Sequence, residues 1–191
     1  MIFILLSIFL NQMTRYNNNQ LYNRYLLSFM ISSYLSIKLI SNTNVFELST
    51  IIKYNKIDNN FGINKFDWEL LTSYLIIDSL YPNNPTTLIH HIINLIAINF
   101  GNNYFYNHLS LFQEISTPFL CGRTIFPKKY QVIFNYFFIF TFFYFRIYLF
   151  NYLVFTHFFK VLNHDKILFL CGLTQCIINN YWFCLIIKKL V

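Results

Sequence analysis

Residues Gln131-Val-Ile-Phe-Asn-Tyr-Phe-Phe-Ile-Phe-Thr-Phe-Phe-Tyr-Phe-Arg-Ile-Tyr-Leu-Phe-Asn-Tyr-Leu-Val-Phe-Thr156 form a long apolar run whose one charge, Arg146, lies about two-thirds of the way along. A helix needs about 20 predominantly apolar residues to cross the hydrocarbon core of a bilayer, and this run supplies them. No water is present there to satisfy stray backbone N–H and C=O groups, so the helix, which pairs them internally, is the form such a run takes. Outward from it, apolar stretches recur at Tyr25 to Ser41, Phe66 to Tyr81, Thr86 to Phe100, Tyr104 to Cys121 and Ile167 to Ile187. The second and third spans are short and carry polar residues, but short connections force them to pack with their neighbours. The expected fold is all-α, a polytopic transmembrane helix bundle of about six spans. One domain covers residues 23–189, behind an N-terminal segment, residues 1–22, that is apolar and then Asn-rich.

The composition points the same way. Of the 191 residues, 56% are hydrophobic and 11% charged, against about 45–50% and about 25% in ordinary soluble domains. That leaves too little polar surface for solubility. The 24 Phe and 15 Tyr, with abundant Ile and Asn, are what an AT-rich coding sequence yields without selection, so aromatic stripes carry little functional weight. A net charge of +7 would suggest nucleic acid in a soluble domain. Here the Lys and Arg residues sit mostly in short loops between apolar runs, as topology determinants do, and no nucleic-acid partner is expected. With six spans, one side receives Arg15, Arg24, Arg123, Lys128, Lys129, Lys188 and Lys189, and the other Lys53, Lys56, Lys65, Lys160 and Lys166. The positive-inside rule then places both termini in the cytoplasm.

Punctuation supports the division into spans: Pro82, Asn83, Asn84 and Pro85 separate the second from the third, Gly101-Asn-Asn103 turns into the fourth, and Gly122 and Pro127 precede the fifth. The connection from Asn42 to Lys65 accommodates either a short interfacial helix or irregular chain. Met1 to Leu10 is apolar, but it lacks the basic region and small-residue cleavage site of a removable signal and is too short to span. Cys121, Cys171, Cys176 and Cys184 show no Cys-x-x-Cys spacing and read as small buried hydrophobes.

Ionisable side chains at membrane depth are costly, about 2.5 kcal/mol or more for Asp, Lys or Arg at mid-helix, so they turn towards a bundle interior and mark function. His90 and His91 stand side by side in the third span. At 100° per residue His91 shares a face with Asn94, and His90 shares one with Asn94 and Thr87, giving a polar stripe. In the fourth span Glu114, Thr117, Pro118 and Cys121 fall at i, i+3, i+4 and i+7, which puts a carboxylate, a hydroxyl and a proline kink on one side. Asp78 ends the second span. Arg146 is expected to pair with Glu114 or Asp78, since a bidentate guanidinium–carboxylate bond offsets part of the desolvation of both. Imidazole suits proton transfer near neutral pH, so the His pair reads as a general base, a nucleophile or a lipid-headgroup contact. A metal held by His90, His91, Glu114 and Asp78 is not expected: the chain has five histidines, with His108, His157 and His164 apart from the pair, and lacks repeated His-x-x-His-His boxes. Nor is any cofactor. A cavity between the His pair and Glu114 is expected to be elongated and mostly apolar, its polar groups gathered at one depth, as for an acyl chain whose headgroup or reactive carbon is read at one end.

Asn23-Arg24 before the span holding Ser32-Ser33, then Ser73-Tyr-Leu-Ile-Ile-Asp78, His90-His91, Glu114-Ile-Ser-Thr-Pro-Phe119, Arg146 and Asn180-Tyr-Trp-Phe183 follow one another in an order that resembles the TLC domain. That family is named for translocation-associated, longevity-assurance and lipofuscinosis proteins and includes ceramide synthases, and the resemblance covers about residues 23–189. The resemblance implies an integral protein of the endoplasmic reticulum or another endomembrane, with membrane lipids as partners and a lipid-accessible cavity faced by the His pair and the acidic residue. In ceramide synthases the pair serves acyl transfer from acyl-CoA to a sphingoid base, which by carry-over makes His90 and His91 catalytic. Where the synthases show paired aspartates, this chain has the lone Glu114 followed by Ser116-Thr-Pro-Phe119, the pattern of small TLC-domain proteins linked to membrane lipid composition. Three readings stay open: a factor that senses, transports or adjusts membrane lipids, a lipid N-acyltransferase, and a structural subunit of a membrane complex.

Overall fold

The computed structural model describes residues 20–42, 63–79, 84–100, 110–156 and 166–189, and every regular element among them is helical. Met1 to Leu10, most of the Asn42 to Lys65 connection, the turn at 101–103, and His108, His157 and His164 lie outside the described residues. The first three apolar stretches become α1 (Gln20–Asn42), α2 (Lys65–Ser79) and α3 (Pro85–Phe100). The fourth is broken: residues 110–114 are helical, a turn occupies 115–116, and α4 (Thr117–Ile125) resumes beyond it. After a 3₁₀ turn (Lys128–Tyr130), α5 (Gln131–Thr141) runs on through a π-helical stretch (Phe142–Leu149) to residue 156, and α6 (Lys166–Lys188) closes the fold.

Side chains fix where α2 and α3 start. Asn64 and Asp67 form a reciprocal capping box, Asn64 N–H donating to Asp67 Oδ2 at 2.7 Å and Asp67 N–H to Asn64 Oδ1 at 3.1 Å, which satisfies two of the unpaired donors of a first turn. Asn84 Oδ1 accepts from the Thr87 N–H at 2.8 Å, with Pro85 at the first helical position, where its missing donor is no loss.

Helix α1 packs on α2, α2 on α3, α3 on α6, α6 on the π-helical part of α5, α5 on α4, and α4 back on α1. The six helices therefore close a ring in the order α1, α2, α3, α6, α5, α4, and each neighbour runs antiparallel to the next. Two ion pairs clasp α1 to α2 end to end: Arg24 with Asp78, and Lys38 Nζ with Asp67 Oδ2 at 2.6 Å. Next to them Ser28, Ser32 and Ser36 are buried at four-residue spacing, a small-residue stripe that lets helices approach closely, and Ser36 Oγ reaches the Glu114 carbonyl at 3.5 Å.

The ring encloses polar side chains beside an apolar core that includes Leu35, Leu71, Phe112, Phe145 and Leu149, and its exterior is apolar. Buried side chains include Asp67, Asp78, His90, His91, Gln113, Glu114, Arg146, Gln175 and Asn179, whereas Met30, Ile37, Ile76, Ile92, Tyr136, Phe140, Phe155 and Ile177 are exposed. Two helices, Lys128–Thr156 and Lys166–Lys188, are long and apolar enough to cross a membrane, with mean hydropathies of 1.6 and 1.4. Their most apolar windows are only 33% and 28% buried, unlike the mostly buried core helix of a soluble protein. Helices α2, α3 and α4, of 15, 16 and 9 residues, are shorter than the about 20 of a straight crossing, and α1, with 23 residues, is long enough but too polar, so among the described helices two meet the requirement, where the sequence suggests six.

Candidate functional site

A cavity of about 650 Å³ opens among the starts of α1, α3 and α5 and the ends of α2, α4 and α6. Arg24, Asn84, Arg123, Gln131 and Lys189 border its mouth. Along α5 the lining continues through Asn135, Phe138 and Phe142 to Arg146, about 22 Å of helix at 1.5 Å per residue. His90, His91, Asp78, Glu114 and Arg146, five residues from four segments of the chain, all line this one space. Polar groups are present at every level, so the expectation of a mostly apolar cavity with its polar groups at one depth does not hold. The inward faces are the reason: several helices turn Asn, Ser, Thr or charged residues towards this part of the ring, among apolar residues such as Phe138 and Phe142.

The floor is built by a broken helix. Pro118 has no N–H, so the Glu114 carbonyl loses its donor four residues on, and the turn tightens instead, with Ile115 N–H on the Phe112 carbonyl at 3.3 Å and Ser116 N–H on the Gln113 carbonyl at 3.4 Å. Arg146 fills the break. Its Nε donates to the Gln113 carbonyl at 3.0 Å and to Ser116 Oγ at 2.8 Å, and its Nη2 to Thr117 Oγ1 at 3.2 Å. Its guanidinium also lies 5.3 Å from the Phe142 ring centroid and 5.9 Å from that of Trp182, within cation–π range.

The expected Arg146 ion pair with Glu114 or Asp78 is thus corrected. Among the described residues no carboxylate lies within salt-bridging distance of Arg146; Asp78 is engaged by Arg24 and, through Oδ2 at 3.3 Å, by His91 Nε2. For Asp78 the cause is depth: it sits in the last turn of α2 beside the first turns of α1, near the mouth, whereas Arg146 lies well along α5. Glu114 lies at the level of Arg146, whose Nε and Nη2 are taken by the neutral acceptors of Gln113, Ser116 and Thr117. Glu114, 3% exposed, has no hydrogen-bond partner on Oε2, and His91 has none on Nδ1.

The two histidines diverge as successive helical residues must. His91 turns to α2, with its ring 6.3 Å from that of Tyr74. His90 turns to α6, its Nε2 3.1 Å from Asn94 Nδ2, its Nδ1 against Gln175 Nε2, and its ring 5.2 Å from Trp182. From there a buried amide network runs to the floor: Gln175 Nε2 donates to Gln113 Oε1 at 2.8 Å, Asn179 Nδ2 to the same oxygen at 3.1 Å, and Asn179 Nδ2 to the Arg146 carbonyl at 3.3 Å. That carbonyl belongs to the π-helical stretch, a wide turn that recurs at functional sites. Trp182 Nε1 bonds Thr86 Oγ1 at 3.0 Å, tying the end of α6 to the start of α3.

Sequence reasoning missed Arg24, Gln113, Gln175 and Asn179. The last two carried a legible signal, polar residues four apart within an apolar helix. Asn180, prominent in the sequence, is exposed and faces Asn151 across 3.4 Å, outside the cavity. The described Cys121, Cys171 and Cys176 are buried and Cys184 is exposed, so three of the four fit the reading as small buried hydrophobes. Chemically, the site offers an imidazole oriented by a carboxylate with its second nitrogen open, a buried carboxylate with an open oxygen, and a fixed guanidinium. The chain matches no family model, no curated protein and no solved structure.

Proposed function

We propose that this is a multi-pass protein of an endomembrane, with about six crossings, that senses, transports or adjusts membrane lipids at the polar cavity, in the manner of the TLC-domain proteins whose motif order it resembles. Supporting this are the apolar exterior, the buried polar residues and the two helices long enough to span. The short helices complete the crossing within the ring, where neighbours cover their polar stripes. The observation that carries the reading is His91, buried with Nε2 on Asp78 and Nδ1 open, lining the same cavity as Glu114 with its open Oε2. A lipid headgroup that donates hydrogen bonds satisfies both atoms, while its acyl chains stay on the apolar outer face.

The same dyad favours one second reading, a lipid N-acyltransferase. A base whose far nitrogen is oriented by a carboxylate is the arrangement that activates an attacking amine or hydroxyl. Lipid profiling of cells lacking the protein, with and without the parent chain restored, separates the readings. Altered phospholipid acyl chains support the sensing or transport role, and altered ceramides support acyl transfer. An unchanged lipid profile with loss of a membrane complex overturns both and leaves a structural subunit.

A further inference from the structure

We infer that the ligand of this cavity carries a phosphate anion, the headgroup phosphate of an anionic phospholipid, read by Arg123 and Lys189 at the mouth. This rests on the lipid reading above and names the class of lipid. The argument is one of charge. Arg24, Arg123, Arg146 and Lys189 line the cavity against Asp78 and Glu114, and Arg24 and Asp78 already offset one another. Three cations then face one carboxylate inside a ring whose exterior is apolar, an imbalance that a bound anion corrects.

Topology accounts for the exposed Lys189 but not for Arg123 and Arg146. A cation that merely orients a helix needs to reach the aqueous side, as the exposed Lys128 and Lys129 do. Arg123 instead lies half-buried in the last turn of α4, its guanidinium 5.6 Å from the centroid of Phe138, itself a lining residue of α5. Lys189 lines the same mouth from the end of α6. Arg146, held by neutral acceptors at the floor, adds positive potential at a depth where topology signals have no role. Ammonium and guanidinium groups are both strong phosphate ligands, and Asn135 and Thr124 supply neutral polar groups between them.

The test uses the full chain, purified in detergent. Its affinity is measured for phosphatidic acid and for phosphatidylcholine, each added as lipid, and for inorganic phosphate and glycerol 3-phosphate. Phosphatidic acid is expected to bind at least about tenfold more tightly than phosphatidylcholine, a gap typical of one charge-assisted contact. Arg123→Gln and Lys189→Gln should each weaken phosphatidic acid several-fold, while Arg123→Lys retains most of it and Lys166→Gln, at the far end of the ring, leaves it unchanged. Unfolding temperature and monodispersity verify each variant, and should Arg123→Gln not fold, Lys189→Gln and Arg123→Lys carry the comparison. Equal binding of the two lipids, or parental affinity in the Lys189 variant, overturns the inference while leaving the lipid reading intact. Inorganic phosphate binding as tightly as phosphatidic acid supports phosphate recognition but makes the ligand a soluble one, and overturns the lipid reading. No binding of any probe overturns both.

Discussion

His90 and His91 are neighbours in sequence with different surroundings, and each removal has its own expected outcome. His90 is bonded at both ring nitrogens by Asn94 and Gln175; His90→Ala leaves buried amides unpaired and is expected to destabilise the protein by about 1–3 kcal/mol. His91 has an open Nδ1 and its dyad with Asp78. His91→Ala removes a buried ring and its contact with Asp78, so it should destabilise the protein by a similar amount, yet leave it folded and abolish its effect on cellular lipids. Thermal unfolding in detergent together with lipid profiling of restored cells checks both, and a fully active His91→Ala variant would return that residue to packing. The pair, Glu114, Asp78 and Arg146 were legible in the sequence because an ionisable group in an apolar run is conspicuous. The partner of each was not, since pairing depends on depth within the assembled ring: Arg24 is 54 residues from Asp78, and no periodicity relates them.

The break before α4 sets two helix effects against each other. Replacing a proline in a helix interior by alanine removes a penalty of about 3 kcal/mol, but Pro118 stands in the first turn of α4, where the gain is small. Pro118→Ala would also return the Glu114 carbonyl to a continuous ladder and straighten the turn that gives Arg146 its Gln113, Ser116 and Thr117 acceptors. A buried guanidinium deprived of them loses more than one charge-assisted bond at about 1.5–3 kcal/mol each, so we expect Pro118→Ala to lower the unfolding temperature, and a rise would contradict this account of the floor. At the start of α2, Asp67 is fully buried and bonded by Lys38, Tyr34 and the Asn64 N–H. Asp67→Ala is expected to cost about 3–5 kcal/mol. Glu69→Ala, which removes an exposed partner 3.9 Å from Lys65, should cost under about 0.5 kcal/mol. Gly122 abuts Phe134, which stacks on Phe126 with centroids 5.0 Å apart; Gly122→Ala should displace that ring and destabilise the α4–α5 contact by about 1–3 kcal/mol. The helices themselves were readable from hydropathy and punctuation. The interruption at 115–116 was foreshadowed by Pro118, but the π-helical stretch at Phe142–Leu149 left no mark in a run of Phe and Tyr.

For the assembled protein, the proposed six crossings with both termini on one side predict the same accessibility for reporters at Val191 and before Arg24, and reporters on opposite sides would mean an odd number of crossings. Spacing and composition disclosed an all-helical chain with an apolar exterior, yet not the closure, because the contacts of α1 with α4 and of α3 with α6 join segments far apart in sequence. Those two contacts have a consequence of their own. Exchanging α1–α3 with α4–α6 maps the order of neighbours onto itself and reverses the direction of every helix, the topology of an inverted repeat. Such a ring is put together as an antiparallel pair of three-helix units would be, with two seams and one covalent tether. A chain severed between α3 and α4 should therefore reassemble when its halves are produced together, the fragments co-purifying with the cavity restored between them.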